Sequence, residues 1–538
     1  MASNPLRQCY SRWEQELHGD TDEHFVLSGI LHGFTIMNIP DNLPKVECQN
    51  YSSATSGQNK LIIERQLKQE IALGHYKIAV SKPSIISAIG AVPKSNGVDL
   101  RIIHDCSRPL DKGINAYANP SKFSFETIDS AIAIAPKHAW MGKIDIKSAY
   151  RHVGLHPSQF TATGLKFQFS GDNHYTYLYD TRLMFGASEA VGIFNRITQS
   201  IVRMMRRRGY HSTVCYLDDF LIMETTQSRC REAMHVLTSL LSDLGFTINY
   251  DKVIYPTQRL SFLGIDIDMQ QHKLFIPPAK LTQIRHAISY WLHKYKATKR
   301  QLQSIVGLIA WGAKCVRAIR PILRSIIDLQ ASLQHAHHRI RLPVAVKKDL
   351  AYFYNWCMLF NGVSFSQRDQ PDTIVYTDAS LQAGAAYHKQ DFIYYSWSAD
   401  FPGLTNQSIY LKELCAILLA FHRWSHCWNN MTVLIRTDNL PAVWAIKKGL
   451  TKHVLANLVL KEILWIAALC NITILITHIP SKENCIADAL SRLDDNRFLV
   501  QAIRLLQSQG VHIDHPKFNW LNHMSVPSLY QFYFSLQM

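Results

Sequence analysis

Asp218 and Asp219 stand side by side in STVCYLDDFLIMETT, between Val214-Cys215-Tyr216-Leu217 and Phe220-Leu221-Ile222-Met223. Two adjacent carboxylates in an apolar, β-prone run repel each other and resist burial. A divalent cation compensates such a pair. Two cations need a third acid, and WMGKIDIKSAY offers Asp145. Side chains alternate faces along a strand, so Lys143, Asp145 and Lys147 share one face while Ile144 and Ile146 enter the core. The same alternation separates Asp218 from Asp219 unless they sit in a hairpin bend. Asp218 is therefore expected to ligate metal directly beside Asp145, with Asp219 in a looser role. Three acids around two Mg2+ ions suit phosphoryl transfer, one ion activating a hydroxyl and the other neutralising the leaving group. An Asp-Asp pair taken alone would read as a solvated hairpin turn.

A second set of acids lies further on. Asp378 ends the apolar strand in IVYTDASLQAGAAYH. Glu413 lies beside the stripe Leu411, Leu414, Leu418 and Phe421 of the helix SIYLKELCAILLAFHRW. Asp438 ends the strand in MTVLIRTDNLPAVWAI, and Asp488 sits in the helix that HIPSKENCIADALSRL begins. Each acid alone would be a helix cap or a surface charge. Four at strand ends and helix starts of one alternating unit can hold two metals, which activate a water and stabilise a departing oxygen.

The elements that must position these acids follow from periodicity. Residues 1–58 are polar and mixed, with NYSSATSGQN as a linker. NKLIIERQLKQEIALG is a helix stopped by Gly74. RIIHDCS, WMGKIDIKSAY, STVCYLDDFLIM and LSFLGIDID read as strands; ASEAVGIFNRITQSIVRMMRRRG and SRCREAMHVLTSLLSDLG read as helices closed by Gly. Residues 278–360 read as helical and basic. Lys280, Arg285, Lys294, Lys296, Lys299 and Arg300 interleave there with Tyr290, Trp291 and Tyr295, a surface suited to a phosphate backbone. An alternating unit follows to about residue 495, and the last 40 or so residues are uninformative.

Composition narrows the class. The 538 residues include 57 Lys and Arg against 41 Asp and Glu, a net charge of +16, which favours a polyanionic partner such as nucleic acid. The 11 Cys form no CxxC pair and read as reduced thiols of a cytosolic or nuclear protein. The N-terminus lacks an apolar signal core, and no apolar run reaches the roughly 18 residues of a membrane span. QHAHHR (residues 334–339) reads as a solvated helix face, since no thiol or carboxylate accompanies it.

YLDD resembles the YxDD signature of reverse transcriptases. DIKSAYRHVGLHPSQ is similar to the strand bearing their first catalytic aspartate, and LMFGASEAVGIFNRI to their LPFGLxxAPxxF helix. AVPKSNGVDLRIIHDCSRPLDKGIN resembles their fingers, and GFTINYDKVIYPTQRLSFLGIDID the end of the palm and the primer grip. The likeness runs collinearly over about two hundred residues. It implies catalytic and metal-binding roles for Asp145, Asp218 and Asp219. It places Lys94 and Arg101 on the triphosphate, Tyr150 as a gate against a 2′-hydroxyl, and Phe185 and Gly186 as the floor of the nucleotide pocket. Met184 and Val191 stand where the family usually has Pro. Proline fixes φ, so their presence is expected to loosen the loop that positions the template base.

YTDAS, KEL, TDN and ADALSR resemble the D-E-D-D words of ribonuclease H domains, in that order. The resemblance gives catalytic and metal-binding roles to Asp378, Glu413, Asp438 and Asp488, and an RNA–DNA hybrid as substrate. His478 reads as structural. WSADFPGLTNQSIYLKELCAI, TDNLPAVWAI and HIPSKENCIADALSR look most like DIRS-type retrotransposons, relatives of Ty3-like elements that pair this enzyme with a tyrosine recombinase.

The resemblance implies an α+β right-hand polymerase of fingers, palm and thumb, followed by an α/β ribonuclease H-like domain with a mixed sheet. The expected boundaries are an N-terminal extension 1–58, fingers and palm 59–277, a helical thumb and connection 278–368, the ribonuclease H-like domain 369–495 and a tail 496–538. Expected cofactors are two Mg2+ per site, with Mn2+ as the alternative. Expected partners are an RNA template, a DNA primer, deoxynucleoside triphosphates, the hybrid and a recombinase of the same element, with no membrane. Two other readings stay open: a decayed or domesticated copy that binds nucleic acid without polymerising, and a pararetroviral polymerase.

Overall fold

A computed structural model describes residues 4–93, 100–120, 123–313, 319–359, 362–365 and 370–511. They form two compact units, divided between Leu263 and Gly264.

In the first unit, four antiparallel strands form a sheet in the order Ile254–Thr257, Trp140–Asp145, Asp219–Glu224, Thr213–Tyr216. Phe220, Leu221 and Ile222 are all buried. That continuous burial marks a strand covered on both faces, which is why its apolar run does not alternate. The helices Ser188–Arg207 and Gln227–Asp243 pack on this sheet. Gly142 permits the close approach of the second helix, because a Cβ there would lie 2.2 Å from Met234 Sδ. A five-stranded sheet and the hairpin Ile89–Pro93 with Leu100–His104 complete the unit.

The amino-terminal residues differ from the expected extension and linker. Tyr10–Leu17 and Glu23–His32 are helices whose Trp13, Leu17, Val26 and Ile30 are buried in the same core as Ile144, Phe194 and Phe220. Each such side chain contributes about 1.5–3 kcal/mol on burial, enough to outweigh the polar composition around it. Trp13 Nε1 donates to Leu244 O at 2.9 Å, and Asp20 and Asp22 pair with Arg203. NYSSATSGQN is not a linker either: Ser52–Thr55 is a helical turn, and Gly57–Ala72 begins inside the stretch.

The second unit opens with the antiparallel strands Ile265–Asp268 and Lys273–Phe275; residues 278–360 then hold the helices Pro278–His293, Lys299–Gly312, Arg320–Ala331 and Val344–Leu359. This segment is not wholly helical, because Lys296–Thr298 pairs antiparallel with Arg339–Arg341. QHAHHR forms a turn before that second strand rather than a helix, and His335, His337 and His338 pack on one another.

A mixed five-stranded sheet follows, in the order Asp391–Ser396, Ala383–His388, Thr373–Ala379, Thr432–Thr437, Thr473–His478. The first three strands pair antiparallel with one another, and the last two add in parallel beyond Thr373–Ala379. The buried helix Ile409–Trp424 packs on Thr373–Ala379 and Ala383–His388. Asn496–Ser508, assigned from sequence to the tail, is a helix whose Ala502 and Leu506 share a cluster with Ala385, Tyr387 and Leu490. Among the described residues, no helix is long and apolar enough to cross a membrane.

Candidate active sites

The hairpin joining Thr213–Tyr216 to Asp219–Glu224 has only Leu217 and Asp218 in its loop. Two-residue hairpins need positive φ in the loop, and Leu217 adopts φ +55. A β-branched or bulky residue seldom accepts that conformation, which costs about 1–2 kcal/mol. The bend changes the expected facing. Asp219 lies directly across from Asp145 in the ladder, so it, rather than Asp218, shares that acid's face. Asp218 is tied to the same strand through its carbonyl, which accepts from Ile146 N at 3.1 Å.

Each acid of this unit has specific neighbours. Asp145 is buried and accepts from Asn249 Nδ2 at 2.8 Å and from Lys252 Nζ at 3.0 Å. Asp219 Oδ2 pairs with Lys143 Nζ at 3.1 Å, while Asp219 Oδ1 is buried without a hydrogen-bond partner. Burial, with the Asp219 charge beside it, pushes the Asp218 carboxyl up to about 6. Burial also raises Asp219, against the pull of Lys143. An orphaned carboxylate oxygen among mutually repelling acids fits a hard divalent cation. Sequence reasoning placed Lys143 on the Asp145 face but gave it no partner, and it missed Asn249 and Lys252. No local pattern marks those two; the chain's return beside Asp145 creates the contact.

Arg101, Tyr150 and Phe185 form a stack. The Arg101 guanidinium lies 4.8 Å from the centre of the Phe185 ring, which stacks on Tyr150 at 4.9 Å. Phe185 is 37% exposed, so the stack has an open side. Tyr150 is buried and its hydroxyl is pushed up to about 12, mainly by burial and then by Asp218. Gly186 has φ +121, and a Cβ there would meet His104 O at 1.9 Å, so no other residue fits. Lys94 lies outside the described residues.

The loop that Met184 and Val191 were expected to loosen is tied by hydrogen bonds. Asn115 donates to Gly186 O at 3.0 Å and accepts from Ser188 N at 2.8 Å. His104 N donates to Phe185 O at 2.9 Å. Met184 itself is buried against Cys106.

In the second unit, Asp378 is the penultimate residue of the strand Thr373–Ala379, Asp438 directly follows the neighbouring strand Thr432–Thr437, and Glu413 comes from the buried helix that lies between them in sequence. One oxygen from each lies within 4.8 Å of the other two. Among the described residues this spacing is met here and not by Asp145, Asp218 and Asp219. Asp488 stands outside the tight trio, with Oδ1 paired to Arg492 Nε at 2.9 Å. Burial, with Asp438 and Asp488 nearby, pushes Asp378 up to about 7 against the hydrogen bond from Ser491. Burial, with Asp378 and Asp438 nearby, raises the Glu413 carboxyl well above its ordinary range.

Three hydroxyls and an amide hold the trio. Ser491 Oγ donates to Asp378 Oδ2 and Ser481 Oγ to Asp438 Oδ2, each at 2.6 Å. Thr437 Oγ1 reaches Glu413 Oε2 at 3.5 Å, and Asn484 Nδ2 reaches Asp378 Oδ1 at 3.4 Å. Sequence reading did not single these out, although Asn484 and Ser491 lie within four residues of Asp488. An all-carboxylate donor set of this kind suits Mg2+ or Mn2+. His478 ends the outer parallel strand and is exposed.

On the basic helices, Arg285 donates to Cys357 O and Lys299 to Leu333 O, so both tie the chain together. Lys294 covers the Tyr290 and Trp291 rings, and Tyr290, Tyr295, Lys296 and Arg300 are exposed. Lys280 lies over Trp311.

Residues 92–267 match the family described as reverse transcriptase (RNA-dependent DNA polymerase). The retrovirus-related Pol polyprotein from transposon 297 of Drosophila melanogaster is 23% identical over 88% of this chain and 44% of its own length. That from transposon opus of the same organism is 21% identical over 80% of this chain and 42% of its own length. Protein P of duck hepatitis B virus is 25% identical over 36% of this chain and 23% of its own length. The chain thus spans less than half the length of these relatives. The foamy viral protease–reverse transcriptase, solved with double-stranded DNA, shares the fold at a TM-score of 0.53 and 14% identity, over 87% of this chain and 82% of that one.

Proposed function

We infer that this chain, which carries a reverse transcriptase domain and has retrotransposon Pol polyproteins among its relatives, is an RNA-directed DNA polymerase with ribonuclease H activity. It copies element RNA into DNA and degrades the RNA of the resulting hybrid. The observation that carries the reading is the meeting of Asp145 and Asp219 on paired strands, with Asp218 in the bend beside them, inside the matched residues, and with the Arg101–Phe185–Tyr150 stack in the same unit.

The residues divide the work. Asp145, Asp218 and Asp219 would hold two Mg2+ or Mn2+ ions, and Asp378, Glu413, Asp438 and Asp488 a second pair. Bound divalent ions supply charge neutralisation at the transferring phosphorus and lower the pKa of the attacking oxygen. Arg101, with Lys94, offsets the charge of the incoming deoxynucleoside triphosphate. The Tyr150 ring fills the space of a 2′-hydroxyl, with Phe185 and the Gly186 backbone beneath the nucleotide. Ser491 and Ser481 fix the carboxylates that face the RNA strand of the hybrid. The mixed sheet bearing those carboxylates supports a ribonuclease H-like domain.

The source is a retrotransposon of DIRS type, working beside a tyrosine recombinase in the cytosol or nucleus, with RNA template and DNA primer as partners. The transposon 297 likeness spans 88% of the chain and that of the viral Protein P 36%, which favours this over a pararetroviral polymerase. All seven acids are present, which favours an active enzyme over a decayed copy. Primer extension on an RNA template and cleavage of a labelled hybrid, both with Mg2+, test the reading. Asp218→Asn is expected to abolish synthesis and spare cleavage; Asp438→Asn is expected to do the reverse. Loss of both activities from either change in a folded protein would overturn the two-site reading. Hybrid binding without extension by the native chain would support the decayed copy.

A further inference from the structure

The two acid sets differ in one respect that their shared chemistry does not require. In the first unit, Lys143 Nζ sits 3.1 Å from Asp219 and Lys252 Nζ 3.0 Å from Asp145. Three carboxylates and two ammonium groups leave a single net negative charge. In the second unit, Asp378, Glu413 and Asp438 are met by hydroxyls and an amide, and among the described residues no cation pairs with any of the three. Arg492 pairs with Asp488, outside the trio.

We propose that Lys143 and Lys252 are built-in counter-cations that keep divalent metal out of the polymerase acids until a triphosphate arrives, while the second site loads metal without substrate. This rests on the polymerase reading and concerns its regulation. A divalent ion entering beside Asp145 and Asp219 meets two fixed positive charges within a few ångströms, and at that range like charges repel strongly in a partly buried site. Both Asp145 oxygens already accept hydrogen bonds, from Asn249 and Lys252, so the ion also competes for lone pairs. An incoming triphosphate changes the balance, because its oxygens offer the ammonium groups another partner and bring negative charge to the ion. The Lys143 side chain is 17% exposed and that of Lys252 57%, so Lys252 has room to turn away and Lys143 has less. The lysines thereby couple metal loading to nucleotide arrival and hold empty acids, which would otherwise repel one another, in a stable arrangement.

The test is Mn2+ binding, followed by the paramagnetic resonance of free Mn2+. The full chain carries Asp378→Asn and Asp438→Asn to silence the second site. Without nucleotide this protein is expected to bind Mn2+ weakly, and Lys252→Met is expected to tighten binding by at least about ten-fold. Lys143→Met should add to the effect, and Lys143→Arg should retain the weak binding because it keeps the charge. Lys252 is largely exposed, so its variant reports even where Lys143→Met does not fold. Adding primer–template and a non-hydrolysable deoxynucleoside triphosphate should erase most of the difference between Lys252→Met and its parent. Mn2+ affinity unchanged by both lysine substitutions, yet abolished by Asp218→Asn, would overturn the proposal and leave the polymerase reading standing. Binding that ignores Asp218→Asn as well would remove the metal site, and the polymerase reading with it.

Discussion

At the scale of single residues, each site holds buried carboxylates that cost energy to ionise, Asp218 and Asp219 in one and Asp378 and Glu413 in the other. Asp218 and Asp378, raised to about 6 and about 7, retain protons at pH values where an unfolded aspartate, near 3.9, has lost them. Between those limits the native protein binds more protons than the unfolded chain, so stability falls as pH rises. For the metal-free protein, the loss is expected to begin near pH 4 and to be complete a little above 7. A divalent cation replaces the protons, so Mg2+ or Mn2+ should raise the melting temperature more at pH 8 than at pH 5. Melting curves with and without metal across that range check this. An equal shift at both pH values would mean that the acids do not titrate with the metal. The Ser491 hydroxyl donates to Asp378 and favours its ionised form, so part of the cost is offset within the site.

At the scale of elements, the loop before Ser188–Arg207 shows how one fold constraint can replace another. Where the resemblance to reverse transcriptases leads one to expect proline, Met184 is buried and Asn115 bridges Gly186 O and Ser188 N. Removing a side chain that satisfies two backbone groups costs about 1–3 kcal/mol. Asn115→Ala is therefore expected to destabilise the first unit by about that much and to raise the KM for deoxynucleotide, because Phe185 and Gly186 sit on the released loop. Denaturant melts and steady-state extension kinetics measure both, and unchanged values for both would show that the loop is held elsewhere. The two-residue hairpin at Leu217-Asp218 is a second such device. Its short loop puts Asp219 opposite Asp145, and a longer loop would release that register.

At the scale of the whole molecule, a net charge of +16 is spread over a chain whose two candidate sites are proposed to act on polyanions. Affinity for an RNA–DNA hybrid is expected to fall linearly with salt on a log–log plot, with a slope set by the number of phosphates contacted. Fluorescence anisotropy between about 50 and 200 mM salt, the range over which such contacts lose affinity most visibly, measures it. A flat plot would detach the charge from nucleic-acid binding. Arg285 and Lys299 are expected to contribute little to that slope, since both are spent on carbonyl groups of their own helical segment.

The sequence by itself determined which residues could do chemistry, because Tyr-Leu-Asp-Asp in an apolar run and the four later acids at strand ends and helix starts are local words that gain their meaning when taken together. It determined the main strands and helices around them, because alternation and Gly stops are local too. Tertiary structure alone decided that residues 10–32 are core rather than extension, since burial of Trp13 and Leu17 depends on partners in another part of the chain. It alone put Asp219 on the Asp145 face, through a bend that periodicity cannot see. It alone brought Lys252 and Asn249 to Asp145, across more than a hundred residues, where no spacing rule reaches. Charge is written in the sequence, but the partner that balances it is chosen by distance in space, and only the fold sets that distance.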